Sequence, residues 1–336
     1  MRTRFHFIIF ILTFYLNSAL SQSEFPKPVY PLHIIFDTDF GPDYDDVGAI
    51  AVLHCFADSG YVSILATMAS SKHQNAAAAI NVFNTYFKRP GIPIGIVTGN
   101  AVALGDKQHW TDSVIKRYPH KIQSNSEAAD ALDLYRRILA SQPDHSITII
   151  TVGFLTNLAN LLRSMPDKYS SLNGSDLVRK KVRNLVCMAG RFPTGREFNL
   201  DQDPLSSKKV LDDWPTQILF SGFEIGQKIK TGLPLIQNNQ IQNSPVKDVF
   251  SICIPLVAED SAGRMSWDES AVFVAIKGWR NYYDLEEGNC TIRPDGFNEW
   301  IHLGTTKARL IEKQSPQVMT TIINQLIMHQ PMGVTK

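Results

Sequence analysis

From Leu32 onward, short, continuously apolar runs alternate with helical patterns, and this alternation limits the possible fold more than any other feature of the chain. The runs are His33 to Asp37, Val62 to Ala66, Ile92 to Val97, Ile147 to Val152, Asn184 to Met188 and Gln217 to Phe220. A strand with one wet face alternates apolar and polar residues. A run that is apolar throughout is buried on both faces, as parallel strands under helices are. Helical spacing fills the intervals, at Val47 to Phe56, Gln74 to Lys88 and Glu127 to Ser141. The pattern predicts an α/β fold with a central, mostly parallel sheet flanked by helices. Near Trp279 it changes: aromatic and turn residues through Asn281, Gly288, Asp295 and Gly296 predict a C-terminal β-hairpin, followed by a last helix from Pro316 to Met328. With no Gly/Ser/Pro linker and no internal repeat, a single domain from about residue 30 to residue 330 is the simplest organisation.

The first 22 residues stand apart. Arg2 and Arg4 precede an apolar stretch, Phe5 to Leu20, that ends in small residues around Ala19 and Ser21. This is the layout of a signal peptide, and the stretch is short of the roughly 20 apolar residues a membrane span needs. Cleavage near Ser21 would make the protein secreted, extracellular or lumenal, with no membrane attachment afterwards; a retained anchor is the alternative. The sequons at Asn173 and Asn289 fit an exported route. Removing Arg2 and Arg4 leaves 31 basic against 32 acidic residues. That balance argues against nucleic acid as a partner, and the short run Arg179, Lys180, Lys181, Arg183 reads as the solvated end of a helix. Cys55, Cys187, Cys253 and Cys290 show no paired metal-ligand spacing, and disulfide pairing stays open.

Ligands of open α/β sheets bind beyond the carboxyl ends of the strands. Here the loop after the first run reads Asp37-Thr38-Asp39-Phe40-Gly41-Pro42-Asp43-Tyr44-Asp45-Asp46, five carboxylates in ten residues. Like charges that close raise one another's pKa and destabilise the fold unless a cation or a set of donors offsets them. A hard divalent cation is the natural candidate. Helix capping by Asp45 or Asp46 is the competing explanation, but one cap needs one carboxylate. Asp43, taken singly, reads as a solvated turn residue.

Asp37-Thr38-Asp39-Phe40-Gly41 with Asp45-Asp46 and Ala49 resembles the amino-terminal signature of the inosine-uridine-preferring nucleoside hydrolase family, in a variant where Pro42-Asp43-Tyr44 stands in place of one residue. Three further segments resemble the family in the same order: Thr151 to Ala159, then Met188-Ala189-Gly190 with Glu197-Phe198-Asn199, then Ser266-Trp267-Asp268. The resemblance implies a hydrolase that cleaves the N-glycosidic bond of a small-molecule ribonucleoside to free base and ribose, using a Ca2+-bound water. It implies Asp39 as catalytic base and metal contact, Asp46 and Asp268 as metal ligands, and Val152 as a backbone-carbonyl ligand. Asp45, Glu197 and Asn199 would bind ribose hydroxyls, Phe198 would line the sugar pocket, and Asp37 would support the site from behind.

The chain departs from the family pattern where a histidine is usual before the last aspartate: that position is Trp267. The leaving base would then stack on Trp267, take a proton from water, or be served by His109 or Arg191. Ser70 and Ser71 stand near a missing asparagine, and Arg191 near another. Trp267, Phe192, Tyr44 and Trp110 are candidates for a base-stacking wall, with core packing the competing role for each. Two other readings remain. The strand ending in Asp37-Thr38-Asp39 also resembles haloacid-dehalogenase-type phosphatases, which leaves the later motifs without a role. The missing histidine also suits a secreted calcium- or ribose-binding homologue without turnover. The preferred base and the number of subunits, a homo-oligomer among the options, are not legible in the sequence.

Overall fold

The computed structural model describes residues 29–331, so the expected signal peptide lies outside the described residues. The strands are β1 (Leu32–Thr38), β2 (Val62–Ala69), β3 (Ile94–Ile96), β4 (Ala129–Asp130), β5 (Ile147–Thr151), β6 (Val182–Met188), β7 (Thr194–Arg196), β8 (Gln217–Ser221), β9 (Lys230–Thr231), β10 (Arg264–Met265), β11 (Tyr283–Ile292), β12 (Phe297–Ile301) and β13 (Lys307–Glu312). All but β9 and β10 form one eleven-stranded sheet, in the order β4-β3-β2-β1-β5-β6-β8-β13-β11-β12-β7. From β4 to β13 every neighbouring pair is parallel, and β11, β12 and β7 join antiparallel. The chain is a single α/β domain, and each of the six apolar runs overlaps a strand of the parallel part.

Strand β1 shows why those runs are continuously apolar. Ile34 and Phe36 enter one core with Val47 and Ile50 of the helix Asp45–Asp58, while Ile35 enters the opposite core with Leu134 and Leu158. Side chains alternate across a pleat, so a strand covered on both faces needs apolar residues at every position.

Two local expectations differ from the structure. The helix expected from Glu127 starts at Ala131: Asn125–Glu127 is a single 3-10 turn, and Ala129–Asp130 pairs with β3 as an edge strand. Asp130 accepts a hydrogen bond from the Asp133 N–H at 2.8 Å and so caps the helix, which fixes its start. The C-terminal hairpin β11–β12 is present, but β13 follows it and pairs parallel to β8, tying the hairpin to the main sheet. The last helix is Pro316–Ile327, capped by Ser315. No described helix is long and apolar enough to cross a membrane. The four cysteines are free.

Strand order sets where a ligand can enter. After β1 the chain moves outward through β2, β3 and β4, then returns to the other side of β1 and continues through β5, β6 and β8. The connections leaving β1 and β5 therefore diverge to opposite sides and open a crevice at their carboxyl ends. The acidic loop leaves β1 at that point, and Val152 follows β5 beside it: the Val152 N–H donates to the Asp37 carbonyl at 2.8 Å.

Candidate active site

A cavity of about 250 Å³ opens at this crevice. Asp39, Asp45, Asp46, Val152, Glu197, Phe198, Asn199, Trp267 and Asp268 all line it, so segments far apart in sequence meet as the motif order implies. Arg191 is not among the lining residues. It sits exposed beside them, with its guanidinium 3.8 Å from the centre of the Phe223 ring, and Phe223 does line the cavity. His109 lies in a different surface depression and pairs with Asp112 at 3.3 Å.

The helix Asp45–Asp58 points its first turn into the cavity. Its N-cap residue, Tyr44, makes no side-chain capping bond. Asp45 instead accepts from Arg264 at 2.8 Å, and Asp46 accepts from the Thr38 hydroxyl. Capping therefore does not explain these carboxylates. The second Asp46 oxygen is buried without a hydrogen-bond partner. Asp45, Asp46 and Asp268 each present an oxygen to the same spot, within 4.8 Å of one another. An ion with oxygen ligands at about 2.3–2.6 Å fits between oxygens so spaced. An unpartnered buried carboxylate oxygen in a cluster of acids is a position a cation satisfies, and the residues present fit one. This cluster contains Asp45, which the family resemblance places at a ribose hydroxyl; Asp39 borders the same cavity.

Burial pushes the carboxyls of Asp39, Asp46 and Asp268 well above the usual range, and the neighbouring carboxylates push them further. Asp45 is raised to about 7, chiefly by burial, with the Arg264 guanidinium opposing. Asp43 goes the other way: burial would raise it, but Arg264 beside it holds it below the ordinary value. Asp43 is therefore not a solvated turn residue. It lines the cavity and is ion-paired with Arg264, because the inserted Pro42-Asp43-Tyr44 turns the loop back toward β10.

Arg264 is the cavity-lining residue that sequence reading missed. Its side chain is almost buried, paired with Asp43 and Asp45, 3.6 Å from Asp260, and lies over the rings of Tyr44 and Trp267 at 4.8 and 5.1 Å. A lone arginine four residues before Asp268 carries no motif; only the pairing of β9 with β10 brings it to the acids.

The remaining residues separate into ligand-facing and supporting roles. Asp37 supports: it accepts from the Tyr135 hydroxyl at 2.7 Å and from Asn157 at 3.1 and 3.2 Å behind the cavity, and burial raises its carboxyl to about 7. Glu197 caps the helix Phe198–Gln202. One of its oxygens accepts from the Asn199 N–H at 2.8 Å; the other accepts from Gly190 at 3.0 Å and Leu200 at 3.2 Å. The Asn199 amide donates to the carbonyls of Val152 and Met188, both at 3.1 Å, and fastens that loop to the ends of β5 and β6. Trp267 forms a wall with Phe223, ring centres 5.0 Å apart, and its indole N–H donates to the Phe223 carbonyl at 2.8 Å. Phe192, Tyr44 and Trp110 are buried in the core instead.

Comparison with known proteins places the chain in a family. Residues 34–326 match the family model of the inosine-uridine preferring nucleoside hydrolases. The chain belongs to that family. It is 26% identical over 237 residues to the pyrimidine-specific ribonucleoside hydrolase RihA of Salmonella agona, a match covering 66% of this chain and 69% of that protein. The fold is shared with a plant nucleoside hydrolase, PpNRh1 (TM-score 0.69, 17% identity, 89% of this chain and 99% of that one). It is also shared with a purine-preferring ribonucleoside hydrolase from Gardnerella vaginalis (TM-score 0.68, 14% identity, 88% and 99%). As a member of the family the protein is a nucleoside hydrolase, an enzyme acting on a small-molecule nucleoside.

The crevice depends on Gly153. A Cβ there would lie 2.3 Å from the Asp39 nitrogen and 2.6 Å from the Ser70 hydroxyl, so β5 approaches the acidic loop too closely for any side chain. Gly153→Ala should push the Asp39 backbone aside, costing about 1–3 kcal/mol of stability as overpacking does. Melting temperature and kcat should both fall; an alanine variant unchanged in both would show that the contact does not hold the loop.

Proposed function

We propose that the protein hydrolyses the N-glycosidic bond of ribonucleosides with a calcium ion held by Asp39, Asp46, Asp268 and the Val152 carbonyl. The observation that carries this reading is the buried cluster of Asp45, Asp46 and Asp268, one oxygen of each within 4.8 Å of the others, with an unpartnered buried oxygen on Asp46. Calcium suits an all-oxygen, carboxylate-rich site of loose geometry. When bound, the ion would offset the clustered charge, orient the ribose hydroxyls and lower the pKa of a neighbouring water.

The protein's own residues account for the rest of the chemistry. Asp39 faces the cavity from the loop after β1 and takes the proton of the water that attacks the anomeric carbon. As the bond to the base breaks, the ribose gains oxocarbenium character, and the surrounding carboxylates favour positive charge there. Asp45, held by Arg264 at 2.8 Å, is aimed at a ribose hydroxyl. Glu197 fixes the loop that carries Asn199 and Phe198 against the sugar. Trp267 and Phe223 offer the base a flat apolar wall.

The same reading includes export: residues 1–22 direct the chain into the secretory route, and the protein acts outside the cytoplasm. N-terminal sequencing of exported protein should begin near residue 22; an intact Met1 terminus would refute export with cleavage.

Incubation of purified protein with a panel of ribonucleosides, read as free base and ribose, should show turnover that a chelator abolishes and calcium restores better than magnesium. Turnover indifferent to the chelator would remove the metal from the proposal, and no turnover on any riboside would favour the non-catalytic binder. Asp39→Asn keeps an oxygen for the ion but cannot accept the water's proton. It should lose roughly 10²–10⁴-fold in kcat with little change in KM. Near-normal turnover would point to another base, Asp45 first.

A further inference from the structure

Arg264 enters the cavity from a tightly built turn. Gly263 adopts φ +108°, and a Cβ there would stand 2.7 Å from the Thr231 carbonyl oxygen, so β9 and β10 meet too closely for a side chain before the arginine. The Ser266 N–H donates to the carbonyls of Gly226 and Ile229 at 3.2 and 3.0 Å, and its hydroxyl shares a hydrogen bond with that of Thr231 at 2.7 Å. The backbone on both sides of Arg264 is thereby fixed. The side chain is fixed as well: its guanidinium pairs with Asp43, stands 3.6 Å from Asp260 and lies over the Tyr44 and Trp267 rings at 4.8 and 5.1 Å. Asp260 is buried and also accepts from the Tyr44 hydroxyl at 2.5 Å.

Asp45 is the acid this anchored arginine reaches. It is the first residue of the helix Asp45–Asp58, so its backbone is set by the helix while its buried carboxylate could still turn about two side-chain torsions. Arg264 removes that freedom. The same guanidinium nitrogen that bonds Asp43 donates to one Asp45 oxygen at 2.8 Å, whereas the Asp268 N–H offers the other oxygen only a longer contact of 3.4 Å. A purely structural ion pair is the competing explanation. A buried pair adds little net stability over an apolar filling of the same space, and this one opens on the cavity instead of being sealed in the core. The lengthened loop Pro42-Asp43-Tyr44 gives the arginine both a carboxylate and a ring, and so anchors it where it meets Asp45.

We propose that Arg264 is a positioning residue: anchored by Asp43 and Asp260, it holds the Asp45 carboxylate in the orientation that accepts a ribose hydroxyl, and through Asp45 it sets a preference for ribosides over deoxyribosides. This rests on the reading of Asp45 as a ribose-hydroxyl acceptor in ribonucleoside hydrolysis and adds the residues that act behind it. A guanidinium suits the task because its planar fork can hold two carboxylates at once and still stack on aromatic rings. An ammonium, a point charge on a flexible stem, would hold them less firmly. Arg264 gives up no proton in the reaction, and no bond to it forms or breaks.

Adenosine and uridine, each with its 2′-deoxy and 3′-deoxy analogue, test this on the purified protein, with circular dichroism and melting temperature confirming the fold of every variant. A hydrogen bond to a charged group is worth roughly 10–100-fold, so kcat/KM of the unaltered enzyme should fall by about that factor when the hydroxyl facing Asp45 is missing. Asp45→Asn should remove most of that ratio. Arg264→Gln and Asp43→Asn should each narrow it by about fivefold or more through slower riboside cleavage, and Arg264→Gln added to Asp45→Asn should narrow it no further. If Arg264→Gln fails to fold, Asp43→Asn reads the same coupling, at a side chain that is 35% exposed and so tolerant of change. Variants that slow riboside and deoxyriboside equally, or that leave the ratio unchanged, would overturn the inference, since a merely structural ion pair predicts one or the other. An unaltered enzyme indifferent to both hydroxyls, or an Asp45→Asn variant that keeps the full ratio, would defeat the acceptor reading of Asp45 and the inference with it. A folded enzyme that cleaves neither riboside would defeat the ribonucleoside hydrolase reading itself.

Discussion

The structure is organised around the cost of gathering carboxylates out of water. Asp37, Asp39, Asp45 and Asp46 are all buried at the carboxyl end of β1 and the start of the next helix, and Asp268 and Glu269 join them from a helix more than two hundred residues later. Glu269 is buried with neither oxygen partnered, and burial together with Asp45 pushes its carboxyl well above the usual range. A fold meant only to be stable would not assemble such a set, since each buried, uncompensated charge costs several kcal/mol. The arrangement makes sense as a cation site, with part of the compensating charge already supplied by Arg264.

The surrounding architecture keeps the cluster in place. Because the connections from β1 and β5 diverge, backbone from both strands reaches one crevice without blocking it. Gly153 lets those backbones approach, while Asp37, Tyr135 and Asn157 brace the acidic loop from behind. The two helices that supply the acids pack directly together: a Cβ on Gly48 would stand 1.9 Å from a Glu269 oxygen. The relative positions of Asp45, Asp46 and Asp268 are thus set by core packing as much as by local loop conformation.

Arg264 links the acidic cluster to the aromatic wall. It pairs with Asp43 and Asp45 and lies over Trp267, so it touches both the acidic loop and the aromatic wall of the cavity. Two features that look unrelated in sequence, the lengthened Pro42-Asp43-Tyr44 loop and the tryptophan before Asp268, meet on this one guanidinium. The added aspartate gives the arginine a partner, and the arginine lies on the indole. We read the two departures from the family pattern as one coordinated change in how the site handles charge.

Much of this was legible in the sequence, and the reason is physical. Strands buried on both faces must be apolar at every position, so the six runs revealed the parallel sheet. Five carboxylates at the end of the first run have no cheap structural explanation, so they marked the candidate site, and Ser266-Trp267-Asp268 and Glu197-Phe198-Asn199 were recognisable as short motifs that meet them in one cavity. The tertiary structure alone decided what depends on distant neighbours. It took Asp43 from a solvated turn to an ion pair and brought Arg264 from a motif-free stretch into the cavity. It sent Phe192, Tyr44 and Trp110 to the core, and it placed β13 beside β8. Local sequence records propensity and periodicity, which act over a few residues. Which charges meet across more than two hundred residues is set by how the helices and strands pack, and no single segment carries that information.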